Sequence, residues 1–167
     1  YESKVLNSYG HPVPVVAGEL QRTGSQARAK VLETQFTDQA DVYRIDITSA
    51  YRVADLKSLV REFRYERQGR GRLMITDRVE MSSPQSFEEA LITYSPWKRI
   101  ADGIWVVGEG RNAVRVQVAM EGQTFVASEE QIDEDVHYNT KPVRLGAKLK
   151  EPITTGTIEI RIEPVEK

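Results

Sequence analysis

The chain has 167 residues, 40% of them hydrophobic, which is enough to bury a core and suits one domain or one thick sandwich. Its 23 basic and 25 acidic residues run along the whole length and leave a formal charge of -2, which excludes the clustered Lys/Arg face of a nucleic-acid binder. With no cysteine, disulfides, thiolate nucleophiles and thiolate metal sites are excluded too, although the compartment stays open.

No apolar run is long enough for a signal-peptide core or a membrane span. The sequence opens at Tyr1 rather than at a Met, and the expectation is a processed or excised piece of a longer chain.

In chain order, Asn7-Ser8-Tyr9-Gly10-His11 leads into a short apolar strand, Val13 to Val16, and then a Gly-x-x-Gln turn, Gly18 to Gln21. Arg28 to Phe36 reads as the next strand, after a Thr23-Gly24-Ser25 turn. Asp41 to Thr48 alternates, with Tyr43, Ile45 and Ile47 on the side expected to be buried. The stretch Val53 to Tyr65 fits two periods: Leu56, Leu59, Val60 and Phe63 make a helical stripe, whereas Leu59, Arg61, Phe63 and Tyr65 alternate. The reading divides it into a helical turn at Ala54 to Ser58 and a strand from Leu59 to Arg67. A glycine-containing hairpin then leads into Arg72 to Glu80, and Pro84 is expected to end that run.

Further strands are expected at Phe87 to Tyr94, Gly103 to Gly108, Ala113 to Met120, Gln123 to Ser128, Val143 to Leu149 and Thr157 to Glu163. About ten turn-punctuated strands with at most one short helical turn predict an all-β antiparallel sandwich, not alternating βαβ units. Gly108-Glu109-Gly110 has no helix behind it and reads as a hairpin turn, not a dinucleotide loop. Arg67-Gln68-Gly69-Arg70-Gly71-Arg72 is the one basic knot, and reads as a solvated hairpin turn in preference to a phosphate or sulfate site.

The order of these motifs resembles the β-sandwich of heparinase II/III-like polysaccharide lyases. His11, the strand Val13 to Val16 and the Gly18 to Gln21 turn correspond to a His, usually followed by Asn, a hydrophobic strand and a Gly-x-x-Gln element; Pro12 departs from that pattern. Asp46 to Tyr51, Arg61 to Arg64 and Leu73 to Asp77 continue the same order. The resemblance covers the first half of the chain, with a succession of strands beyond it.

The resemblance implies a supersandwich-like domain over residues 1–167, the C-terminal part of a longer chain with an upstream α/α toroid. It further implies a carbon-oxygen lyase that cleaves uronate-containing glycans, such as glycosaminoglycan or alginate, by β-elimination. That chemistry needs a neutraliser for the C5 carboxylate, a base for the C5 proton and an acid for the leaving oxygen. In the family these come from Asn, His and Tyr of the toroid and a His at the beginning of the sandwich. No residue of this chain takes those roles, so the isolated chain is expected to be inactive. A periplasmic or secreted location is what the family suggests.

The family also holds a zinc ion with a His and an Asp from an upstream strand pair and a His at the position of His11. One imidazole is not a zinc site, so His11 reads equally as a ligand and as a ring satisfied by backbone or water. His137, in the acidic run Asp133 to Tyr138, is the only other histidine; such a run reads as a solvated loop. Trp97, with Tyr94 and Tyr138, is the candidate for stacking on a sugar, set against ordinary packing, and Trp105 reads as core. Arg61 and Arg64 read as cross-strand partners of Asp and Glu. The alternative to a lyase domain is a non-catalytic sandwich that binds glycans or a protein.

Overall fold

The computed structural model describes residues 2–134 and 139–165. In chain order its strands are β1 (Val15–Val16), β2 (Lys30–Phe36), β3 (Ala40–Asp46), β4 (Leu56–Glu66), β5 (Arg72–Gln85) and β6 (Phe87–Thr93). They continue with β7 (Trp97–Ala101), β8 (Ile104–Val107), β9 (Val114–Ala119), β10 (Phe125–Gln131), β11 (Val143–Leu149) and β12 (Ile153–Pro164). Every pairing is antiparallel. A four-stranded sheet runs β1-β6-β11-β10, and an eight-stranded sheet runs β2-β3-β4-β5-β12-β9-β8-β7.

Alternation explains how the two sheets share one core. On the large sheet Leu59, Ile75, Val79, Ile158, Ile160, Val116 and Trp105 point inward; on the small sheet Phe87, Leu145, Ala147, Leu149 and Phe125 face them. The expected all-β antiparallel sandwich is therefore the fold. Among the described residues the only helices are three 3-10 turns, and no helix is long and apolar enough to cross a membrane.

Three local expectations differ from the structure. The helical turn at Ala54 to Ser58 is absent: Val53 to Asp55 form a plain turn and β4 begins at Leu56. The β4–β5 register shifts between Leu56 and Ser58, and both Leu56 and Leu59 contribute to the core. That bulge puts residues three apart on one face of a strand and so imitates a helical spacing. Pro84 does not end β5, because it lies where no ladder bond is needed. Pairing with β4 stops at Met81, and pairing with β12 shifts between Glu80 and Gln85.

The third difference is β7, where the sequence analysis expects no strand. Its five residues are all exposed, so it carries no alternation to detect. Ile45 of β3 and Ile47 just beyond it face the core as expected, while Val42 on the opposite face is also buried and Tyr43 is half-buried, stacked on Phe63 at 6.3 Å.

Candidate functional site

The segment that carries His11 is held from below by buried side chains. Pro14 is fully buried, and its carbonyl accepts a 2.6 Å hydrogen bond from the Tyr51 hydroxyl. The Pro12 carbonyl accepts a 2.7 Å bond from Arg61 Nη1. Neither proline offers an N–H to a neighbour, so carbonyl anchoring is how this stretch is fixed.

Arg61 belongs to a polar group enclosed in the sandwich. It and Asp77 are register partners on β4 and β5, with Arg61 Nε donating to Asp77 Oδ1 at 2.8 Å and Nη2 contacting Asp77 Oδ2. The same Nη2 donates to Glu89 Oε2 of β6 at 3.0 Å, which ties the large sheet to the small one. Exposures of 2%, 1% and 0% for Arg61, Asp77 and Glu89 make this a buried triad. Burial raises the pKa of Glu89 well above the usual carboxylate range, and the neighbouring Asp77 charge pushes the same way, against Arg61. Of the two carboxyl groups, Glu89 is thus the one pushed toward its protonated form, while Asp77 makes the bidentate pair with Arg61. Glu89 Oε1 is buried with no hydrogen-bond partner among the described residues. Burial opposes the charge on Arg61, yet the two carboxyl groups outweigh it and hold its pKa above the ordinary value.

Above this anchor lies a cleft of about 440 Å³ walled by Leu6, His11, Pro12, Val13, Gln21 and Arg22. Gln21 is set by its own N–H, which donates to Ser8 Oγ at 2.8 Å. Arg22 is committed to main chain, with Nε on the Ser49 carbonyl at 2.9 Å and Nη2 on that of Gln26 at 2.7 Å. His11 is exposed at the mouth. The cleft thus offers one free imidazole and an apolar wall, with no tyrosine or second histidine among the residues that line it.

Zinc needs three or four donors, and among the described residues no three His, Cys, Asp or Glu side chains come together. The residues around His11 do not by themselves fit the ion. His137 lies outside the described residues.

Trp97 is not brought to His11. It sits on β7, the last strand of the large sheet, 38% exposed; Ile100 of the same strand and Tyr94, just ahead of it in the chain, are also exposed. Trp105 is fully buried, its Nε1 donating to Glu129 Oε1 at 2.8 Å, as a core residue should. Arg61 is the cross-strand partner of Asp77 as expected, whereas Arg64 bonds Glu66 two residues along its own strand.

The sequence reading missed how far the Arg61–Asp77–Glu89 group reaches. The available signal was a charge on the apolar face of three strands: Arg61 between Leu59 and Phe63, Asp77 between Ile75 and Val79, and Glu89 between Phe87 and Leu91.

A second buried cation, Arg144 of β11, lies on the outer face of the small sheet. Nη1 donates to Glu88 Oε1 at 2.5 Å and the guanidinium stacks 4.4 Å over the Tyr9 ring. The Tyr9 hydroxyl and Lys4 both bond Glu130, so the N-terminal segment leading to His11 is fastened against this sheet.

Fold and site define a two-sheet antiparallel β-sandwich that presents a histidine on a strapped N-terminal segment. No family model and no curated protein matches the chain. Solved structures do. It is similar to the heparan sulfate lyase HepC from Pedobacter heparinus, with TM-score 0.71 and 10% identity over 94% of this chain and 24% of that one. It is also similar to the heparinase III BT4657 gene product, with TM-score 0.68, 14% identity and the same two coverages. A further heparinase III crystal structure gives TM-score 0.66 at 14% identity, covering 93% of this chain and 23% of that chain. The fold expected from the resemblance is the fold observed, and the chain spans about a quarter of the length of these structures.

Proposed function

We propose that this chain is the sandwich region of a heparinase II/III-like polysaccharide lyase, supporting an upstream toroid and forming one wall of its cleft. The observation that carries this reading is the fold match to heparan sulfate lyase HepC over 94% of the chain. The substrate is then a uronate-containing polysaccharide, of the glycosaminoglycan or alginate kind, cleaved by β-elimination in an extracytoplasmic compartment. The toroid supplies the base, the acid and the neutraliser of the C5 carboxylate. This chain supplies the mechanical part: Arg61 and Tyr51 fix the carbonyls that follow His11, and a zinc ion bound there would take one nitrogen from His11 and need its remaining ligands from elsewhere.

Ultraviolet absorbance of newly formed unsaturated uronate tests the reading, with heparan sulfate, hyaluronan and alginate offered to this chain and to one extended toward the toroid. Activity in the longer chain alone is the expected result. Silence from both folded proteins on all three substrates overturns it. A non-catalytic glycan-binding module is the second reading, favoured by the exposed Tyr94, Trp97 and Ile100 on the β7 edge; it requires sugar binding that disappears in Trp97→Ala.

A further inference from the structure

The basic knot at the β4–β5 turn is not a free hairpin tip. Gly69 and Gly71, at φ of 61° and 83°, let the turn curl, and a Cβ at Gly71 would collide with the Tyr65 hydroxyl oxygen. The tip then lies across the end of the large sheet. Arg70 Nη1 donates to the Val165 carbonyl at 3.0 Å beyond β12, and Nη2 to the Arg111 carbonyl at 2.6 Å ahead of β9.

Under this strap is a cavity of about 720 Å³, walled by Glu66, Arg70, Arg72, Val106, Arg115 and Glu163. Arg72 pairs with Glu66, and Arg115 lies 3.9 Å from Glu163. Arg70 is different: both of its hydrogen bonds among the described residues go to carbonyls, which fix the guanidinium without neutralising its charge. A guanidinium has five N–H donors, so three remain on Arg70. Arg72 donates from Nη2 to Glu66, and its Nη1 has no acceptor among the described residues. The walls therefore carry three guanidinium groups against two carboxylates, with donor N–H groups left over on all three among the described residues.

We propose that this cavity binds an oxyanion, a sulfate ester or a carboxylate carried on a polysaccharide chain, with Arg70 and Arg72 as its donors. Planar guanidinium groups held in fixed orientation match the paired oxygens of either group. The cavity shares no lining residue with the His11 cleft, so a chain held here is gripped apart from that cleft. The oxyanion chemistry stands on the geometry alone, whereas its source in a glycan rests on the proposed function.

The test is calorimetric titration of the 167-residue chain at low ionic strength with dextran sulfate, which has sulfate and no uronate, and with polygalacturonate, which has carboxylate and no sulfate. Wild type should bind at least one of them, and that one names the group. Arg70→Ala and Arg72→Gln should each weaken binding about tenfold, while Arg78→Ala, an exposed arginine on β5, should stay within about twofold. Arg72→Gln keeps a donor toward Glu66 and so guards against a loss caused by a displaced turn. Binding of neither polymer, or binding unchanged in both cavity variants, overturns the site. If binding depends on Arg70 and Arg72 but the parent polypeptide releases no unsaturated uronate, the site stands and the lyase reading falls. If the parent releases uronate but its sandwich binds neither polymer, the site falls and the lyase reading stands.

Discussion

Arg61 Nη1 reaches a carbonyl 49 positions earlier in the chain, that of Pro12, across 2.7 Å. The same guanidinium pairs with Asp77 and donates to Glu89, so the backbone next to His11 is connected through one side chain to both sheets.

Arg61→Leu should therefore destabilise strongly, by about 3–5 kcal/mol, because Asp77 is left as a buried charge without its partner. Glu89→Gln should stay within about 1 kcal/mol of wild type at neutral pH, since a neutral amide replaces a carboxyl group that burial pushes toward its protonated form. Urea unfolding of the two variants checks the contrast, and equal losses would mean that Glu89 is ionised.

The raised pKa of Glu89 gives a pH dependence with a definite sign. The folded chain keeps a proton on Glu89 that the unfolded chain releases above its ordinary pKa of 4.5. The folded state thus binds more protons, and this group's contribution is fully present below pH 4.5 and is lost as pH rises through the folded value. Wild type minus Glu89→Gln stability should decline with pH above that point, at up to about 1.4 kcal/mol per pH unit. Unfolding curves over a pH series measure it; a flat difference would contradict the neutral acid.

Tyr51→Phe removes the donor to the Pro14 carbonyl while leaving the ring in the core. A buried carbonyl without a partner costs about 1–3 kcal/mol. Thermal unfolding should show a clear drop in Tm, and proteolysis should cut earlier in the segment before β1.

Two glycines of the strap separate strain from collision. Gly69→Ala meets nothing within 4 Å and should lose about 1 kcal/mol for its positive φ alone. Gly71→Ala has the same kind of backbone and also collides with Tyr65, so it should lose more. Chemical denaturation of both variants gives the order.

The two tryptophans should behave oppositely. Trp105→Ala empties a fully buried position and breaks the bond to Glu129, a loss of about 3–5 kcal/mol. Trp97→Ala, on an exposed edge strand, should change stability by less than about 0.5 kcal/mol. Guanidinium chloride melts of the pair distinguish core from surface directly.

What could be read in advance follows from which interactions are periodic. β9 alternates because one face meets the core, β11 alternates in residue type although Arg144 and Gly146 on its outer face are buried too, and Pro and Gly punctuation marked most turns. β7 escaped because an edge strand exposed on both faces has no buried side to impose a pattern. The bulge at Leu56 to Ser58 escaped because its spacing is also that of a helix. For the site, His11 and the Gly-x-x-Gln turn stood out by residue type, and the cleft does bring Gln21 to the same walls. Trp97 also stood out by type, but its place on the far edge strand depends on strand order, which no local pattern carries.

The sequence by itself determined the class of fold, since alternation and turn chemistry act over a few residues and are written in adjacent letters. It also determined the absence of cysteine chemistry. Only the tertiary structure decided that Arg61, Asp77 and Glu89, on three strands, form one buried group beneath His11, and that the arginine knot closes over a cavity at the end of β12. Both arise from contacts between residues tens of positions apart. Their partners are chosen by strand order and sheet packing, after local preferences have already been satisfied.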